Sequence, residues 1–234
     1  MTGTLRTALV AALVVVIVAG AAVAYCAVTD TPLPWQSAET PTRFLLIAGS
    51  PDDTGAVIAQ VIVIVDTAEQ TLTAIAPDTP ATIPGTSYSE LKDALPFGGG
   101  AAVARTYAEV SGAPVLPYIT IRPGGLVRAV DGLATIRVTL PAGMDVFDGD
   151  RLYSFPAGPR TVSGVEFAAV VKGRPYLTSR QQKQLDDSLA EALACVAAGW
   201  PGGMQAAVES GEIDTGLTAE SLGVLKGELA RFAR

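Results

Sequence analysis

The hydrophobic pattern divides the chain into unlike parts. Residues 8–28 carry no charge and are almost wholly Ala, Val, Leu and Ile, matching the roughly 20 residues that cross a bilayer's hydrocarbon core. Arg6 and the amino terminus precede the run, and Asp30 is the first charge after it. Positive charge stays cytoplasmic, so the sequence predicts a cytoplasmic stub (1–7), a transmembrane anchor (8–28) and a single-pass protein of the cell membrane whose C-terminal part is extracytoplasmic. A cleaved signal peptide ending at Ala22-Val23-Ala24 is the alternative, although the apolar run is longer than the usual 7–15 residues of such a region. A lipoprotein attached at Cys26 is a further alternative, with bulky Tyr25 where a small residue is expected.

Residues 29–42 are rich in Pro, Thr and Ser and read as a linker. The domain at 43–234 opens with apolar β-branched runs at 44–48 and 57–65, the second broken only by Gln60, as in strands covered on both faces. Residues 72–76, 118–121 and 135–140 are further strands. In the last, Ile136, Val138 and Leu140 alternate with Thr135, Arg137 and Thr139, giving one wet face. Helices are predicted at 88–95, stopped by Pro96, and at 101–110. The clearest spans 179–198, with Thr178 and Gln181 at capping-box spacing, an apolar stripe of Leu185, Leu189, Leu193 and Val196, and Gly199 closing it. A last helix covers 219–232. Strands interleaved with helices imply an α/β layered domain.

Composition narrows the chemistry. The net charge is -7 and there is no histidine, which argues against nucleic acid as a partner and against zinc or haem. Cys26 and Cys195 are poorly placed to pair, so no disulfide is expected. Against this acidic background Lys172, Arg174 and Arg180 fall within nine residues and suggest a phosphate site. From spacing alone the balance favours ordinary solvated charges at helix ends. Gly98-Gly99-Gly100 lacks a following Lys-Ser/Thr and reads as a flexible joint rather than a nucleotide loop. Asp148-Gly149-Asp150 lacks EF-hand spacing and reads as a surface turn.

The order of short motifs resembles the LytR-CpsA-Psr family of cell-envelope proteins from about residue 44 to 232. It is carried by Leu45-Leu46-Ile47-Ala48-Gly49-Ser50, residues 61–66, Ala74-Ile75-Ala76-Pro77-Asp78-Thr79, Gly98-Gly99-Gly100, Tyr118-Ile119-Thr120-Ile121, Leu126-Val127-Arg128-Ala129, Pro156-Ala157-Gly158, Lys172-Gly173-Arg174 and Arg180-Gln181-Gln182. The resemblance implies a mixed central sheet sandwiched between helices, with an apolar pocket for a polyprenyl chain. It also implies arginines holding the lipid's diphosphate and a carboxylate-bound Mg2+. The implied activity moves a glycopolymer from a polyprenyl diphosphate carrier to peptidoglycan.

Carried onto this sequence, the diphosphate-binding set is Lys172, Arg174, Arg180 and Gln181, with Asp78 and Arg174 as catalytic residues and Asp78 and Asp52 as metal ligands. Asp53 is a looser match for a metal ligand. The family's Arg-x-Arg is here Lys172-Gly173-Arg174, and an Arg-Asp pair is Pro77-Asp78. Ala56, Ile58 and Leu177 stand where charged groups are usual. Arginine-to-lysine replacement at a two-point phosphate contact is not conservative. Two functions follow from the resemblance: a Mg2+-dependent glycopolymer transferase, or a non-catalytic relative that binds a polyprenyl phosphate lipid as an accessory or scaffold of the envelope.

Overall fold

Two strands with scarcely a polar side chain form the centre of the sheet, because a strand buried on both faces needs apolar residues at every position. They are β1 (Arg43–Pro51) and β2 (Val57–Asp66), paired antiparallel with a bulge at Ala48/Gly49. The computed structural model describes residues 40–52, 54–133, 136–149 and 151–232. The proposed anchor at 8–28, Cys26, the linker up to residue 39, Asp53, Thr135 and Asp150 lie outside them. Among the described residues no helix is long and apolar enough to cross a membrane.

β3 (Thr71–Ile75) pairs antiparallel on the outer side of β2, β4 (Tyr118–Ile121) lies parallel to β1, and β9 (Ile213–Thr215) pairs antiparallel with β4. The order β3-β2-β1-β4-β9 is a mixed sheet. The parallel β1–β4 pair requires a crossover. It is supplied by a 3-10 turn at Leu91–Phe97 and helix α1 (Gly99–Ser111), which cover one face. The segment at 88–95, expected as a helix ended by Pro96, is instead this 3-10 turn, which runs through the proline. α1 begins two residues before the expected start.

The other face carries α2 (Pro123–Asp131), α3 (Gly164–Gly173) and α4 (Ser179–Ala198). Beyond them lie α5 (Met204–Glu209) and α6 (Ala219–Leu229), which ends three residues short of the expected boundary, Phe232 still packing on the core. β5 (Ile136–Leu140) pairs with β8 (Gly158–Val162), and β6 (Met144–Asp148) with β7 (Arg151–Phe155), as separate two-stranded sheets. β5 has the one wet face its alternation predicts. Side chains on alternate faces of β1 and β2 feed two cores. Leu45, Ile47 and Ile62 pack with Leu91 and Val103, while Phe44, Leu46 and Val63 pack with Phe167, Leu185 and Leu189.

α3 starts with a complete capping box. The Glu166 carboxylate accepts from the Ser163 N–H at 2.8 Å, and the Ser163 hydroxyl accepts from the Glu166 N–H at 3.4 Å. The Ser163 N–H bond holds the Glu166 carboxyl below its ordinary value of 4.5. A carboxyl whose folded pKa is depressed contributes stability that is present above the unfolded pKa and lost as pH falls through the folded one. Ser163→Ala is therefore expected to lose about 1 kcal/mol at neutral pH. The backbone bond remains in that variant, so only the part of the loss that comes from the Ser163 hydroxyl donating to the Glu166 carboxylate at 3.0 Å should shrink as the pH is taken below 4.5, as measured by urea denaturation at several pH values.

Candidate functional site

Three charged side chains from distant segments meet beside the second core. Arg174 opens a 3-10 turn, Arg174–Tyr176, between α3 and α4. Pro175 lacks the N–H that would continue α3, and Thr178 caps the new helix. Asp78 follows β3 in a turn closed by the Thr79 N–H on the Ala76 carbonyl at 3.0 Å. Asp186 sits in the second turn of α4, next to the Leu185–Leu189 stripe.

The Arg174 guanidinium donates from Nε to Asp186 Oδ1 at 2.5 Å and from Nη2 to Asp186 Oδ2 at 2.8 Å. Nη2 also donates to Asp78 Oδ1 at 3.2 Å. Nη1 takes part in none of these bonds. Arg174 is only 4% exposed and Asp186 6%, whereas Asp78 reaches solvent. Burial alone would lower the Arg174 pKa, but the bonds and charge of Asp186, followed by those of Asp78, carry it above its ordinary value, so the guanidinium stays charged. Burial pushes the Asp186 carboxyl up, against the pull of Arg174. Two carboxylates thus face one cation, and the side-on edge of the guanidinium, which could grip two phosphate oxygens, already grips Asp186.

The other expected ligands are arranged differently. Lys172, in the last turn of α3, pairs with Asp148 at 3.2 Å. Gly173 allows that approach, since a Cβ there would stand 2.5 Å from Val146 Cγ2. Gln181 turns back on its own helix, its Oε1 accepting from the Thr178 N–H at 3.0 Å and the Thr178 hydroxyl at 2.8 Å. It completes the predicted capping box and gives its acceptor to the helix end. Gln182, not Gln181, reaches Arg174, donating from Nε2 to its carbonyl at 3.4 Å.

Arg180 is exposed in the first turn of α4 and has no ion pair among the described residues. A cation there opposes the helix dipole. Asp52 is committed to its own loop, Oδ1 accepting from the Thr54 N–H at 2.8 Å, the Thr54 hydroxyl at 2.7 Å and the Ala56 N–H at 2.9 Å. The Thr54 hydroxyl bond, foremost among these, holds its pKa below the ordinary value.

No cluster of three or more acidic, cysteine or histidine side chains suited to a metal ion occurs among the described residues. Both expected ligands keep Oδ2 free of the bonds described, but of the two only Asp78 is bonded to Arg174. Mg2+ is commonly held by one or two carboxylates together with substrate phosphates, and Asp78 fits that mode only.

Gly98-Gly99-Gly100 is not a flexible joint. A Cβ at Gly100 would stand 2.2 Å from Thr120 Oγ1 and 2.3 Å from the Tyr118 ring, so α1 can lie on β4 only with glycine there.

Asp186 was missed by sequence reasoning. The signal was available in the helical period: Asp186 lies four residues after Gln182 and four before Ala190, on the buried side of α4.

No family model and no curated protein matches the sequence, but solved structures share the fold. The LytR-Csp2A-Psr enzyme from Actinomyces oris aligns with a TM-score of 0.58 at 17% identity over 85% of this chain and 79% of its own. A transcriptional regulator from Enterococcus faecalis aligns at 0.58 and 20% identity over 81% and 72%. The structure of TagT bound to LIIa-WTA aligns at 0.53 and 16% identity over 81% and 75%.

Proposed function

We propose that this chain, which has the fold of the LytR-CpsA-Psr proteins, is a membrane-anchored protein of cell-envelope assembly that binds a polyprenyl diphosphate-linked glycopolymer at Arg174, Asp78 and Arg180. The meeting of Asp78 with Arg174, 96 residues apart in sequence and 3.2 Å apart in space, is the observation that carries this reading. The likeness to TagT, seen with LIIa-WTA, supports a glycopolymer as the ligand class. The uncharged run at 8–28 supports retention at the membrane.

Arg180 and Arg174 Nη1 offer donors to phosphate oxygens, while Lys172 is engaged by Asp148. The paired carboxylates leave the cluster acidic, so a dianionic headgroup needs a counter-cation. Asp78 would hold Mg2+ jointly with the diphosphate, and the ion would neutralise charge there and polarise the phosphate oxygens.

Binding without turnover is the second reading. It is favoured by the occupied fork of Arg174 and by Ala56 and Ile58 where charged groups would assist transfer to peptidoglycan.

Calorimetry with farnesyl diphosphate and a product assay separate these readings. Wild-type protein is expected to bind only with Mg2+ present, Arg180→Ala to bind about tenfold more weakly, and Asp78→Ala to lose the Mg2+ dependence. Equal affinity in all three proteins would sink the assignment. Release or transfer of the phosphate by wild type, abolished in Asp78→Ala, would select the transferase.

A further inference from the structure

A cleft of about 350 Å³ opens where β1 and β4 end, the place where parallel strands of α/β sheets receive ligands. Its walls are apolar, with Val57, Leu95, Pro96 and Ile121 among them, and its polar groups are Thr120, Asp214 and Arg122. Leu95 belongs to the core under the 3-10 turn and α1, whereas Asp186 belongs to α4 on the opposite face.

Thr120 is 4% exposed, yet its hydroxyl has no hydrogen-bond partner among the described residues. Thr120 and Asp214 are register partners across β4 and β9, so their side chains stand side by side. The half-buried Asp214 carboxylate has no ion pair or hydrogen bond to a side chain among the described residues. A buried hydroxyl left without a partner costs about 1–3 kcal/mol, and such groups in a folded protein call for an explanation. A ligand group that donates hydrogen bonds would satisfy both, whereas an anion would meet Asp214. Arg122 is the one cation in the lining and is exposed, whereas Asp214 is half-buried beside Thr120.

We propose that this cleft binds a small apolar molecule carrying a hydroxyl or ammonium group, with the apolar body against Val57 and Leu95 and the donor between Thr120 and Asp214. The proposal does not depend on the diphosphate reading.

The test is methyl NMR of the full chain in lipid nanodiscs, titrated separately with cyclohexanol, cyclohexylammonium and cyclohexanecarboxylate. The first two are expected to shift the methyls of Val57 and Leu95 saturably, and the carboxylate to bind at least about tenfold more weakly. Preference between the first two tells an alcohol from an amine. Asp214→Asn should weaken cyclohexylammonium about tenfold. Thr120→Val should weaken both donors without lowering the urea midpoint, because it removes an unpartnered hydroxyl. Binding of the carboxylate as tight as that of the donors would overturn the proposal. So would the absence of saturable shifts, affinities unchanged in both variants, or a Thr120→Val protein that is clearly less stable.

Discussion

Replacing Arg174 by alanine is expected to destabilise the fold by about 3–5 kcal/mol, since it leaves the Asp186 carboxylate buried with no cation. The bonds at 2.5 and 2.8 Å are the carboxylate's compensation for leaving water. Urea denaturation followed by the fluorescence of buried Trp200 would measure the loss. The double variant Arg174→Met, Asp186→Leu removes both charges and fills their volume with apolar atoms, so it should lie close to wild type. If the double variant is instead as unstable as Arg174→Ala, the loss comes from packing around the arginine stem and the ion pair contributes little.

Asp186→Asn is expected to act in the opposite direction on ligand. It keeps the shape and one acceptor but removes a charge beside the proposed diphosphate site. At an effective dielectric near 20, a unit charge about 5 Å away contributes roughly 3 kcal/mol of repulsion to a single negative charge. Rearrangement of the freed guanidinium offsets part of this, so a gain of about tenfold in farnesyl diphosphate affinity is expected, read by calorimetry with Mg2+. The fold itself should lose about 1–3 kcal/mol, because Arg174 would keep Asp78 as its one charged partner among those described. An unchanged or weakened affinity would mean that Asp186 holds the guanidinium in its binding pose and does not compete for it.

The parts of the fold legible from sequence are those where one physical signal acts alone. α4 has the predicted bounds because a polar face, a one-sided leucine stripe, a capping box and a closing glycine all agree. β1 and β2 declare themselves by apolar runs broken only by Gln60. α3 does not, because Val165, Phe167, Ala169, Val170 and Val171 surround it and leave no stripe. Its start signal was present in Ser163 and Glu166. β6, β7 and β8 are five residues each, separated by Gly, Pro and Asp, and pair only in two-stranded sheets, β6 with β7 and β8 with β5, so they read as loops. β9 has three residues, too few for any period.

The site was legible in the same uneven way. Asp78 and Arg174 came from motif order, and the structure brings them together. Gln181 and Asp52 carry the expected residue types and Lys172 only the expected charge, and each is engaged by a neighbour: Thr178, the loop at residues 54–56 and Asp148. Asp186 escaped because a doubled Asp186-Asp187 on a polar helix resembles a solvated face. Only the tertiary partner, Arg174, turns the first of them inward. A buried carboxylate is intelligible only when its cation is in view.

The central claim is that Arg174 belongs to the diphosphate site, and its own Nε–H reports on that most directly. Buried and bonded to Asp186, this proton should give a resolved resonance in protein labelled with 15N-arginine. Titration with farnesyl diphosphate and Mg2+ should shift the Arg174 Nε–H resonance saturably, with the same midpoint as calorimetric binding. Saturating binding that leaves that resonance unmoved would place the ligand elsewhere and contradict the assignment.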